Sequence, residues 1–147
     1  MTHQPDTIHV LLVDDEKDFV DTIAERLQTR GYRTQVAYTG DEALTAQKIE
    51  ETDVVVLDLK MPGLDGLETL RRIKERYPHI EVIMLSGHGS AKEQELADEL
   101  GAFAYFSKPQ KLDVIADAIQ IAWRSSVYLR NQQSSASGNP SSSFFLK

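Results

Sequence analysis

An aspartate pair, Asp14-Asp15, closes one apolar run of this chain, and a lone aspartate, Asp58, closes another at Val54–Leu57. Lys108 follows a short third run and stands directly before Pro109. Strand ends in an open α/β sheet face one crevice, so these acids and this lysine are expected to meet there. Three carboxylates cannot share a small site unpaired; they need a cation or must take up protons. A hard cation such as Mg²⁺, held by few protein ligands beside a phosphate, satisfies them and leaves Lys108 to face the phosphate. The chemistry implied is phosphoryl transfer.

The elements that must carry these residues follow from periodicity and punctuation. Residues 8–13 form a near-continuous apolar run, as in a strand buried on both faces. Phe19, Ile23 and Leu27 recur at helical spacing over 18–30, and Gly31 ends that helix. A second strand is expected at 34–37, and a helix from Gly40 to about Ile49. The third strand, Val54–Leu57, leads to a Met61-Pro62-Gly63 turn with both breakers present. Leu67, Leu70, Ile73 and Tyr77 mark the next helix, which Pro78 stops. The fourth strand, 82–85, runs into the loop Ser86-Gly87-His88-Gly89. A weakly apolar helix over 91–100 packs through Leu96, Ala97 and Leu100. A fifth strand at 104–106 precedes a last helix, which faces the sheet with Leu112, Ile115, Ile119 and Trp123 and continues to about Arg130.

Strands alternating with helices predict an α/β fold with a parallel sheet covered on both faces. Right-handed crossovers make a doubly wound three-layer sandwich the economical solution. A five-stranded order 2-1-3-4-5 sets the ends of strands 1 and 3 at the switch point, bringing Asp15 to Asp58.

Composition narrows the function further. The 147 residues hold one domain with a proper core, expected over 8–130, after a short N-terminal extension at 1–7. From Asn131 to Lys147 the chain turns serine-rich and predicts a disordered tail. Net charge is −7, without a basic stripe, which argues against direct nucleic-acid binding. No apolar stretch approaches the ~20 residues of a membrane span. The N-terminus lacks the basic start and apolar core of a signal peptide. Cysteine is absent, which fits a cytoplasmic protein.

Four stretches in order, LLVDDE, VVVLDLKMPGLDG, VIMLSGHG and AYFSKP, resemble the signatures of response-regulator receiver domains of two-component signalling. The resemblance implies the flavodoxin-like fold and phosphorylation of Asp58 by a sensor histidine kinase or a histidine phosphotransfer protein. Asp58 would attack phosphorus as the nucleophile. Asp15 would ligate Mg²⁺ directly, Asp14 directly or through a water, and the backbone carbonyl of Lys60 would complete the protein ligands. Lys108 and Ser86 would contact the phosphoryl group, Ser86 and Tyr105 would relay the switch, and the Lys108–Pro109 peptide bond would be cis. The side chains of Lys60 and His88 edge the site.

A domain of this kind catalyses only its own phosphorylation and dephosphorylation. It would act on an unidentified output protein, as a monomer or weak dimer, through strand four, helix four, strand five and helix five. The alternatives are a Mg²⁺-dependent aspartyl-phosphate hydrolase, and a receiver that is a fragment of a longer regulator.

Overall fold

Every apolar run named above lies in a strand of one parallel sheet. The structure is a computed structural model that describes residues 7–138, with side chains to residue 133. The strands are β1 (His9–Val13), β2 (Arg33–Ala37), β3 (Val54–Leu57), β4 (Glu81–Ser86) and β5 (Ala104–Ser107). All pairings are parallel, in the order β2-β1-β3-β4-β5. Strand side chains alternate between faces, so each central strand feeds two cores. Val10, Leu12, Val54 and Val56 face α1 (Lys17–Thr29) and α5 (Leu112–Gly138), packing with Leu27, Ile115 and Ile119. Leu11, Val13, Val55 and Leu57 face α2 (Gly40–Leu44), α3 (Gly66–Arg76) and α4 (Ala91–Glu99), packing with Ala43, Leu70, Ile73 and Ala97. This is the doubly wound three-layer arrangement.

Two segments differ from the reading of the sequence. The helix opened at Gly40 ends at Leu44 rather than near Ile49, and a 3₁₀ turn follows at Ile49–Glu51. The Thr45 hydroxyl bonds back to the carbonyl of Asp41 at 3.0 Å, and Ala46 bonds only three residues back, to Ala43. The tightened chain then turns through Lys48, at φ 57°, and delivers Ile49 to the core.

The second difference is at α5, which runs past Arg130 to Gly138. Its last eight residues, 131–138, are the start of the serine-rich stretch. No proline or glycine interrupts the chain between Asp113 and Ser137, so the helix continues until Gly138. Residues 1–6 and 139–147, which hold most of the expected extension and the rest of the expected tail, lie outside the described residues. No described helix is long and apolar enough to cross a membrane.

Beneath the sheet, away from the aspartates, polar groups pin α5. Arg130 reaches the Asp53 carboxylate at 3.2 Å and the Thr52 carbonyl at 3.3 Å. Asp53 also accepts from the backbone N–H of His9 at 2.9 Å. The Ser125 hydroxyl donates to Glu81, whose other oxygen lies 3.2 Å from Lys74. His79 is buried here, with Nε2 3.1 Å from the Glu50 carbonyl.

Burial, reinforced by the charge of Arg130, holds His79 below the ordinary imidazole range. Below roughly pH 6.5 the unfolded chain takes up a proton that the folded chain refuses. Stability from neutral His79 is therefore present above that pH and lost as pH falls through it. Thermal unfolding of His79→Gln should vary less between neutral and mildly acidic pH than that of the wild type. Parallel pH profiles for the two proteins would contradict this.

Candidate functional site

The site is built where β1, β3, β4 and β5 end. The β1–β3 ladder runs one bond beyond β3, from Asp58 N–H to the Val13 carbonyl at 2.9 Å, so Asp58 leaves the sheet beside Asp14. Asp14 and Asp58 are each 4% exposed, whereas Asp15 is open to solvent. Ser86 closes β4 and is buried, and its carbonyl accepts from Lys108 N–H at 3.0 Å, setting Lys108 at the end of β5. The Lys108–Pro109 peptide bond is cis. Across the crevice, a Cβ on Gly66 would run into the backbone of Asp58 and Leu59. Only glycine lets the first turn of α3 close on the strand end that carries Asp58. Asp65 caps that helix by accepting from Glu68 N–H at 2.9 Å.

The Lys108 ammonium organises the charges. It lies 2.7 Å from Asp14 Oδ2, 2.6 Å from Glu16 Oε1 and 3.9 Å from Asp58 Oδ2, with the Phe19 ring beneath it at 4.5 Å. Asp14 Oδ1 accepts from Glu16 N–H at 2.9 Å. Asp58 Oδ1 is buried with no hydrogen-bond partner. Carboxylate oxygens of Asp14, Asp15 and Asp58 all lie within 4.8 Å of one another.

Burial raises Asp58, and the neighbouring Asp14 charge adds to it. Burial likewise raises Asp14, against the bond from Lys108. For Lys108 burial works downward, but its bonds to Asp14 and Glu16 outweigh it and leave it raised. One cation stands among too many anions. The uncompensated charge and the bare Asp58 oxygen fit a hard divalent cation, for which an all-oxygen donor set is suited.

The sequence-derived residues do not all sit at the same distance from this centre. Asp14, Asp15, Asp58 and Lys108 converge directly. Ser86 Oγ accepts from His88 N–H at 3.3 Å, at the mouth of the β4–α4 loop. The Tyr105 hydroxyl is enclosed without a partner, and a Cβ on Gly89 would overlap it. Lys60 points its ammonium the other way, to Glu93 on α4 at 2.7 Å. Glu16 and Phe19 also belong to the site, where sequence reasoning gives them no place. Glu16 directly follows the aspartate pair, which was a usable signal; Phe19 carried only helical spacing.

A family model for the response regulator receiver domain matches residues 10–120. The chain belongs to that family. This receiver is 37% identical over 111 residues to sporulation initiation phosphotransferase F of Bacillus subtilis (strain 168), covering 76% of this chain and 90% of that protein. It is 34% identical over 122 residues to the transcriptional regulatory protein GlrR of Escherichia coli (strain K12), covering 83% of this chain. The receiver spans only about a quarter (27%) of that regulator's length. Among solved structures, a receiver domain protein from Clostridium thermocellum superposes with a TM-score of 0.78 at 35% identity, covering 83% of this chain and 98% of that one.

A raised carboxyl pKa means that the folded receiver binds protons more readily than the unfolded chain. The ionised carboxylate therefore opposes folding, absent at acid pH and fully felt above the folded pKa. Without divalent cations, Asp58→Asn is expected to raise the melting temperature at neutral pH. The gain should shrink as pH falls through the range in which Asp58 takes up its proton. An equal or lower melting temperature for the variant at neutral pH would contradict the charge balance described here.

Proposed function

We propose that this receiver accepts a phosphoryl group on Asp58 from a sensor histidine kinase or a histidine phosphotransfer protein, and that the product switches a protein-interaction surface. The observation that carries the reading is the Asp58 Oδ1 oxygen, buried and unpartnered beside two further carboxylates and Lys108. A buried carboxylate oxygen that no protein donor occupies is free to attack, unlike one spent on capping a helix. The oxygen attacks phosphorus, the P–N bond to the donor histidine breaks, and an acyl phosphate forms on Asp58.

Catalysis in such a site is mostly positioning and charge neutralisation. Lys108, held by Asp14 and Glu16, stands 3.9 Å from Asp58 and offers a fixed positive charge to the transferring group. Asp15, Asp14, Asp58 and the backbone carbonyl of Lys60 would hold Mg²⁺. When bound, Mg²⁺ supplies charge for the phosphoryl oxygens and relieves the repulsion among the three acids. Ser86 lends its hydroxyl to a phosphoryl oxygen once its bond from His88 N–H is exchanged. The protein catalyses its own phosphorylation and dephosphorylation and turns over no other substrate. A hydrolase reading would set the nucleophile on the first strand, whereas here the bare oxygen stands at the end of β3.

The output surface we assign is α4, β5 and α5. Among the described residues of α4 only Ala97 is buried, so the helix is loosely held and shifts at low cost. Along α5, Ile121 and Tyr128 are 56% and 62% exposed, apolar surface beyond what the sheet requires.

Incubation with a small phosphodonor and Mg²⁺, followed by intact-mass measurement, tests the assignment. Wild type should gain the mass of one phosphoryl group and Asp58→Asn none. The same gain in both proteins would place the phosphoacceptor elsewhere.

A further inference from the structure

The Lys60 ammonium is tied to α4. It meets Glu93 Oε2 at 2.7 Å, while Glu93 Oε1 accepts from Ser90 N–H at 3.1 Å and Ser90 Oγ accepts from Glu93 N–H at 3.1 Å. One carboxylate thus serves two holders: the first oxygen closes the capping box of α4, and the second grips the loop that carries Asp58. The Tyr105 hydroxyl, enclosed against Gly89, feels the charges of both Glu93 and Lys60. The bond to Glu93 holds Lys60 above the usual lysine value, and the bond to Lys60 holds Glu93 below the usual carboxylate range.

Lys60 stands two residues beyond Asp58, and its side chain is 52% exposed and long enough to reorient. A phosphoryl group on Asp58 would present a stronger anion than one carboxylate. Two anions would then compete for one cation.

We propose that Glu93 is a positioning residue that holds Lys60 in reserve, and that phosphorylation of Asp58 draws Lys60 from Glu93 to the phosphoryl oxygens and so unties the first turn of α4. This rests on Asp58 being the phosphoacceptor. It gives α4, with few apolar anchors, an electrostatic tether that the signal itself removes. The α4 cap survives the exchange, because Glu93 Oε1 keeps Ser90.

The test uses the full chain with Mg²⁺ and beryllofluoride, a tetrahedral anion that mimics a phosphoryl group on a carboxylate, titrated by NMR on the amides of Gly89, Leu96 and Tyr105. Glu93→Gln keeps a side-chain acceptor for Ser90 but releases Lys60, so beryllofluoride should bind about 2–5-fold tighter, the size of effect an exposed ion pair carries. Lys60→Met should abolish that gain: Lys60→Met and Lys60→Met/Glu93→Gln should bind alike. On saturation, the amides of α4 should shift less in Lys60→Met than in wild type, because the tether is already gone. Unchanged affinity in Glu93→Gln, or the same gain with methionine at position 60, would overturn the proposal while leaving Asp58 as the acceptor. Failure of wild type to bind beryllofluoride would instead strike the Asp58 reading, and the proposal would fall with it.

Discussion

Mutual repulsion among carboxylates is the constraint on which the rest of this receiver depends. The β1–β3 pairing delivers Asp14 and Asp58 side by side, both buried, and Asp15 completes the cluster. A single lysine answers them, and it is shared with Glu16. Burying charge without full compensation opposes folding, so the hydrophobic sheet must hold the acids together. It does so with strands buried on both faces and two separate apolar cores. The same repulsion suits the site to a divalent cation, which would relieve it.

The two ends of the sheet divide the labour. At the floor, Asp53, Glu81, Arg130, Lys74 and Ser125 satisfy one another, and α5 is fixed there. At the top, Asp58 Oδ1 and the Tyr105 hydroxyl remain unpaired, and α4 is held by little more than Ala97, its cap and the Lys60–Glu93 pair. The pairs at the floor anchor α5, although the buried Ser126 hydroxyl on the same helix has no partner among the described residues. Groups left unpaired at the top are available to new partners, which suits a switch.

Much of this was legible in the residues themselves. Continuous apolar runs at β1, β3 and β4 identified buried parallel strands, and an acid or hydroxyl closing each run fixed the site, because strand ends converge by topology. Side-chain partnerships across the fold were not legible. Glu16 bonding Lys108, 92 positions away, and Lys60 reaching Glu93, 33 positions away, depend on loop paths that no local period encodes. The length of α5 was misread for a different reason. The expected end near Arg130 rested on the change of composition, yet nothing there breaks a helix that packing has already nucleated, and it continues to Gly138.

The charge balance at the crevice is open to direct measurement by NMR titration of isotope-labelled aspartate carboxyl carbons, with and without Mg²⁺. Asp14 and Asp58 should titrate above the ordinary aspartate range in the absence of the cation, and both midpoints should fall when Mg²⁺ is added. Midpoints in the ordinary range that do not respond to Mg²⁺ would contradict a site built on carboxylate repulsion.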